Sequence, residues 1–221
     1  MEFYEITLKA MKKLLDDCNE KDYADMIKDC LEGWHKRQDT DCFLREFAKG
    51  GRFRTFQFKP EDFASGEQNF WVQQLFGGLV AMAIQLAGAI REKRTIDIGF
   101  IRKNFGRPSE VINGKKCSDC GKRQISGLDI DKYISLPIIA KRIADGLENN
   151  TLDTQIDSII SVSAPEISHE RKATELRAAN TGLLIVGENA SAFCPACGSK
   201  KLVPCRLLKS LKEPVFVPLN S

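Results

Sequence analysis

The spacing of apolar residues predicts two amphipathic helices at the start of the chain. Apolar side chains recur at helical intervals over residues 3–18 and again over residues 22–35, so each set lies on one helical face. A short third helix is expected where Asp39 or Thr40 can cap it and the Gly50-Gly51 pair can end it. The first fifty residues are therefore interpreted as a helical unit.

An uncharged segment of twenty residues, Trp71 to Ile90, predicts one long helix. Its length suits a bilayer and a basic cluster follows it, so a membrane span is one interpretation. Three glutamines and many small residues lower its hydropathy, and the amphipathic helices before it need an apolar partner. We therefore expect a helical domain over residues 1–107, built around a central apolar helix near residues 70–91, and no membrane contact.

The second half of the chain has a different sequence pattern. Pro108 marks a boundary, and short apolar runs before and after residues 117–120 predict two strands around a turn. Helices are expected at about 136–147 and 168–179, with a loop at Pro165, and a buried strand at 183–187. The predicted fold class is α+β, with a zinc-ribbon-like domain over residues 108–221 that carries a helical insertion near 126–190.

Two CxxC pairs carry the clearest chemical signal in the sequence. Cys117 and Cys120 form the first, Cys194 and Cys197 form the second, and a glycine follows each pair. Two thiolates on a tight turn make half of a tetrahedral site, and the glycine leaves the backbone beside the second sulfur unhindered. We predict one structural zinc ion held by these four thiolates. The two halves resemble zinc-ribbon or treble-clef knuckles, and that resemblance implies no activity.

Other uses of paired cysteines need a context that this sequence does not offer. A redox-active CxxC usually precedes a helix in a thioredoxin-like unit, and a disulfide framework belongs to an oxidising compartment. An iron–sulfur cluster is the third alternative. The charged, amphipathic N-terminus is unlike a secretory signal, so a reducing, cytoplasmic setting is expected. Cys18, Cys30 and Cys42 are assigned to the helical core, and Cys205 to a buried strand.

A basic stretch follows the second CxxC pair. The formal net charge of +3 over 221 residues is too small to attract nucleic acid by itself, so any anionic partner needs a local patch. The alternative is that these charges only offset the zinc thiolates. The candidate nucleic-acid-binding residues are Lys200, Lys201, Arg206, Lys209 and Lys212, with no acid between them.

A weaker candidate for nucleic-acid binding lies at Arg52 to Phe58. Two arginines alternate there with Phe53, Phe56 and Phe58, as in a platform on which bases stack. Phenylalanines in such a run more often belong to the core of a domain. The segment is therefore either an exposed platform or part of the helical core.

The sequence offers little material for catalysis. It has two histidines, His35 and His169, and no HExxH motif or glycine-rich phosphate loop. His169-Glu170 lies between the CxxC pairs, which resembles the HNH class of treble-clef nucleases, but no Asp-His pair precedes a glycine-rich turn here. His35 is interpreted as a partly exposed residue at a helix C-terminus.

Three functional hypotheses follow from these patterns. The first is a non-catalytic binding or adaptor protein whose zinc module presents a basic surface to nucleic acid or to a protein partner. The second is a zinc-stabilised hydrolase or nuclease that uses His169 and Glu170. The third is a helical protein that oligomerises and in which zinc is only a structural clamp.

Overall fold

A computed structural model describes residues 2–47, 51–54, 56, 66–104, 111–187, 192–209 and 216–218. The chain divides into two compact units. The first comprises Met1–Arg107 with Ile138–Ala164, and the second comprises Pro108–Pro137 with Pro165–Ser221. The helices are α1 (Glu2–Asp17), α2 (Lys21–Arg37), α3 (Asp41–Phe47), a short 3-10 helix (Arg52–Arg54), α4 (Gly66–Arg91), α5 (Ile98–Asn104), α6 (Gly127–Glu148) and α7 (Ile156–Thr181). The strands are β1 (Val111–Cys117), β2 (Arg123–Ser126), β3 (Leu183–Val186), β4 (Leu202–Lys209) and β5 (Phe216–Pro218).

The first unit is built on α1, which packs against α2 and α4. The predicted amphipathic faces are confirmed, since Leu8, Met11 and Leu14 of α1 are completely buried. α2 ends at Arg37, and the left-handed backbone of Gln38 lets the N–H groups of Gln38 and Asp39 donate to carbonyls of the last helical turn. The Asp39 carboxylate then accepts the Asp41 N–H at 2.7 Å and so caps α3, as predicted.

The long apolar segment forms α4, a helix of 26 residues. Val72, Leu79 and Leu86 are fully buried, and α4 packs against both α1 and α3. Among the helices described, α4 is the one long and apolar enough to cross a membrane, and half of the window that qualifies is buried within the protein. Its apolar residues thus form a large part of the first unit's core.

Aromatic rings fill the space between α2, α3 and α4. Phe53 is buried, its ring stacks on that of Phe47 at 4.5 Å between centroids, and Phe56 lies 3.8 Å from the ring of Tyr23. The idea of a stacking platform for bases is therefore wrong for Phe53, because the ring contacts protein on its faces. Phe58 lies outside the described residues.

Two helices run through prolines at which sequence reasoning placed a helix start and a loop. α6 begins at Gly127 and contains Pro137, and α7 is continuous through Pro165. In α6 apolar side chains are buried on both sides of the proline, since Ile130, Ile134 and Ile139 are at most 4% exposed. Burial of these side chains offsets the hydrogen bond that the proline removes.

One further helix, α5, was not predicted. Its start is defined by Asp97, whose carboxylate accepts the Phe100 N–H at 2.7 Å. Ile101 is its fully buried anchor. The charged residues around this single anchor hide the helical periodicity in the sequence.

The second unit contains a five-stranded sheet in the order β3-β2-β1-β4-β5. β1 pairs antiparallel with both β2 and β4, β4 pairs antiparallel with β5, and β2 pairs parallel with β3. The strands predicted on either side of the first CxxC pair, and at 183–187, are confirmed. The protein is thus a mixed α+β fold in which α6 and α7 come between the two CxxC pairs along the chain.

Candidate metal centre

The four predicted ligand sulfurs lie together although the two CxxC pairs are far apart in sequence. Cys117 Sγ is 3.6 Å from Cys197 Sγ, Cys120 Sγ is 3.6 Å from Cys194 Sγ, and all four lie within 4.8 Å of one another. A tetrahedral zinc site with bonds of about 2.3 Å has sulfur–sulfur edges of about 3.8 Å. The four side chains are therefore close enough, and suitably spaced, to hold one metal ion.

The two CxxC turns share one backbone pattern. The Cys117 N–H donates to the Lys122 carbonyl at 2.8 Å, and the Cys194 N–H donates to the Ser199 carbonyl at 2.7 Å. The N–H of the glycine after each pair donates back to the first cysteine's carbonyl, at 2.9 Å in the first turn and 2.8 Å in the second. This repetition explains why the same short motif appears twice.

The glycine after each CxxC pair is required by its backbone conformation. Gly121 and Gly198 both have φ of +73°, a left-handed conformation that other residues adopt only at a cost. A Cβ at either position would meet no atom within 4 Å. The sequence predicted both glycines from the need for a residue without steric hindrance. The physical reason is different, because space is free at both positions and the left-handed backbone is what favours glycine.

Polar contacts join the two turns directly. The Ser118 N–H donates to the Lys201 carbonyl at 2.9 Å, and the Ser199 hydroxyl donates to the Asp119 carboxylate at 2.8 Å. Lys201 Nζ lies 3.3 Å from the same carboxylate. Both turns are therefore positioned against each other by the protein itself, which preorganises the four sulfurs.

The protein environment separates the proton affinities of these thiols. Backbone N–H groups of Cys120 and Asp119 donate to the Cys117 sulfur and lower its pKa to about 6. The Ser199 N–H also favours the thiolate of Cys197, but the neighbouring thiols, Cys120 foremost, raise its pKa to about 12. Several thiolates cannot coexist in so small a volume without a cation, so the cluster is suited to one.

The sulfurs differ in their exposure to solvent. Cys117 and Cys194 are completely buried, whereas Cys120 and Cys197 are exposed. A bound ion would therefore lie near the surface of the second unit, held by two buried and two exposed cysteines. Within the described part of the chain, these cysteines are the one group of three or more potential ligands gathered in this way, and Cys205 is not part of it.

The predicted basic residues do not form one cluster. Lys200, Lys201 and Arg206 are exposed, and Lys201 is engaged by Asp119. Lys209 is the last residue of β4, roughly 20 Å along the strand from its start at about 3.3 Å per residue. Lys212 lies outside the described residues.

The sheet register brings together other basic residues, which were not among the candidates predicted from the sequence. Lys116 lies directly opposite Arg123 on β2 and opposite Val203 on β4. Neither basic side chain has an ion-pair partner in the described part of the chain, and Val203 is 47% exposed. Only the long-range register could have revealed this juxtaposition, because residue 203 is far from the others in sequence.

The histidines lie away from any ligand cluster in the described ranges. His169 is an exposed residue of α7, and the adjacent Glu170 forms an ion pair with Arg177. His35 lies in the last turn of α2, as predicted, with its Nε2 atom 3.1 Å from Glu5. Among the described residues, His169 thus belongs to no group of three or more potential metal ligands, which the nuclease hypothesis would need.

Comparisons with known proteins add no assignment. No protein-family model, no curated protein and no solved structure matches this chain. The functional argument therefore depends on the geometry of the site and on the charges around it.

Proposed function

We propose that the second unit is a zinc-ribbon-like module in which one structural zinc ion supports a basic surface that binds single-stranded nucleic acid without catalysis. The observation that carries this proposal is the excess of positive charge on the strands and turns that contain the four cysteines. The helical insertion between the CxxC pairs, α6 and α7, distinguishes the module from a simple ribbon.

Zinc is the ion that suits the donor set best. Four cysteine sulfurs at near-tetrahedral spacing match the closed sites of structural zinc, and soft thiolates disfavour magnesium and calcium. Four protein ligands leave no coordination position for a substrate. The ion would therefore hold the two turns together, and its binding would contribute to folding of this unit.

The basic charge exceeds what the metal site needs. Residues 111–126 and 192–209 contain eight lysines and arginines and one acid, Asp119, for a formal charge of +7. Four thiolates with one zinc ion contribute a formal −2, which leaves +5 from these residues. With the same −2 included, the entire chain carries only +1, so neutralising the thiolates does not account for these residues. A surface of this kind favours phosphate contacts.

The arrangement of the charges also favours an anionic partner. Lys116 and Arg123 are directly opposed across the sheet, which is unfavourable for like charges unless an anion lies between or above them. Phe193, which precedes the second CxxC pair, is 42% exposed and offers a ring face on which a base can stack. Phosphate contacts beside an exposed aromatic ring favour a single strand over a duplex.

The test is binding of a fluorescent single-stranded oligonucleotide to the metal-loaded full chain over a salt series from about 50 to 200 mM. In the variant Lys116→Gln, Arg123→Gln, Lys200→Gln, three phosphate contacts are lost. We expect weaker binding and a salt slope shallower by about 2, because each contact to a single strand contributes about 0.7.

A matched control removes the same charge from the first unit. Lys21, Lys28 and Lys103 are exposed there, and changing all three to Gln should leave the binding curve unchanged. An equal loss in both variants would mean that only net charge matters and would contradict a specific surface. No binding by the metal-loaded protein would refute the nucleic-acid proposal and return the choice to a protein partner or an oligomer.

A further inference from the structure

Two cysteines of the first unit form a close pair outside the metal cluster. Cys30 of α2 and Cys42 of α3 have their sulfurs 2.9 Å apart, across the turn that joins the two helices. The sequence shows no CxxC motif here, because the residues are twelve positions apart. They are drawn together by the cap at Asp39 that starts α3.

The spacing of this pair differs from that of the metal centre. The sulfur contacts among the four CxxC cysteines are 3.6 Å, close to the edge of a zinc tetrahedron. At 2.9 Å, the Cys30 and Cys42 sulfurs are too close for a shared zinc ion. This separation is closer than the 3.6 Å contacts of the metal centre are to the bond length of about 2.05 Å between two cysteine sulfurs.

The surroundings of the pair contain an unused hydroxyl. Tyr4 is 1% exposed, and its hydroxyl has no hydrogen-bond partner among the described residues. The ring packs edge-on against Trp34 and Phe43. Burial raises the pKa of Tyr4, so its hydroxyl keeps its proton and remains a donor.

Access to the pair is one-sided. Cys30 is completely buried, whereas Cys42 is half-buried. Burial, together with the neighbouring Cys42 thiol, raises the pKa of Cys30. An oxidant in solution therefore meets Cys42 first, and Cys30 is placed to react only with Cys42.

We propose that Cys30 and Cys42 are a reversible oxidation site that forms a disulfide with a peroxide as the oxidant. The Cys42 thiolate attacks one peroxide oxygen, which breaks the O–O bond and, with one proton, gives sulfenic acid and water. The Cys30 thiol then attacks the Cys42 sulfur, and the S–OH oxygen leaves with the thiol proton as a second water. Each sulfur loses one electron, and hydrogen peroxide gains two.

The oxidised pair ties α2 to α3 and closes a loop of about a dozen residues in the unfolded chain. Because α3 carries Phe43 and Phe47 of the aromatic core, the link stabilises the first unit. A thiol reductant breaks it again by exchange. This site lies in a different unit from the metal centre and does not depend on the proposed function.

The test treats the metal-loaded full chain with hydrogen peroxide at low molar excess, then alkylates free thiols and maps tryptic peptides. Cleavage after the neighbouring lysines and arginines isolates Cys30 in residues 29–36 and Cys42 in residues 38–45. We expect these two peptides to appear as one linked species that dithiothreitol separates. Metal content measured in parallel should remain unchanged at the stage when the link is complete.

Two variants make the result specific. Cys42→Ala should abolish the linked species and leave Cys30 reduced, whereas Cys18→Ala should form it as the wild type does. The proposal is overturned if Cys30 and Cys42 stay alkylatable while the CxxC cysteines oxidise and release metal, or if Cys42 proceeds to sulfinic acid without linking to Cys30.

Discussion

Placing alanine at the two left-handed glycines should weaken metal binding without any steric clash. Gly121 and Gly198 have φ of +73°, and a Cβ there contacts nothing within 4 Å. The cost is therefore that of the backbone conformation alone, about 1–2 kcal/mol for a residue with a Cβ, reduced by the lower entropy of the unfolded chain. A net cost of about 1 kcal/mol per site corresponds to roughly fivefold weaker binding for one variant and thirtyfold for both.

The assay is competition for zinc with a chromophoric chelator at fixed pH, because binding displaces thiol protons. Gly121→Asn separates backbone from bulk, since asparagine adopts the left-handed conformation more readily than alanine and should recover part of the affinity. Gly88→Ala in α4 makes the same substitution in a helical backbone, where the expected effect has the opposite sign. Its Cβ also meets nothing within 4 Å, but its helical backbone should gain about 0.5–1 kcal/mol of stability.

Two results would refute this reasoning. A double glycine variant with wild-type affinity would mean that the knuckle does not need the left-handed conformation to bind metal. Equal losses for Gly121→Asn and Gly121→Ala would mean that any side chain disturbs the turn, and the explanation by φ would be wrong.

Three further predictions concern the first unit. In α4, Leu79→Ala removes a fully buried side chain and should lower the free energy of unfolding by about 2–5 kcal/mol. Ile84→Ala, at a site 39% exposed, should cost under about 1 kcal/mol. Equal costs in urea unfolding would contradict a core role for α4. Tyr4→Phe removes a buried hydroxyl that has no hydrogen-bond partner among the described residues, so the reduced variant should be at least as stable as the reduced wild type. A loss of unfolding free energy above about 1 kcal/mol in the same assay would reveal a hidden hydrogen-bond partner. Hydrogen bonds from Lys9 and His35 lower the pKa of Glu5, so the carboxylate's contribution to stability is present above pH 4.5 and is lost as the pH falls through the lowered value. Glu5→Gln should therefore cost about 0.5 kcal/mol of unfolding free energy at neutral pH and nothing in acid. A difference that does not depend on pH would exclude the ionic origin.

Local signals predicted the parts of this protein that depend on local physics. The amphipathic periodicity of α1 and α2, the cap at Asp39 and the two CxxC turns are each defined by a few neighbouring residues, and all are found. Sequence reasoning failed at Pro137 and Pro165, because apolar side chains buried on both sides of each proline outweigh the local break.

Contacts between distant segments were not predictable from one sequence. The opposition of Lys116, Arg123 and Val203 depends on the register of three strands, one of which starts some eighty residues later. The pairing of Cys30 with Cys42 depends on the angle between two helices at a capped turn. The parallel pairing of β2 with β3 likewise connects segments separated by α6 and α7.

The most direct test of the metal centre is the metal content per chain of the purified protein, combined with X-ray absorption at the edge of the metal found. The account predicts one zinc ion per chain with four sulfur neighbours at about 2.3 Å, and loss of that ion in Cys117→Ser. Absence of metal, iron in place of zinc, or a shell with fewer than four sulfurs would contradict it.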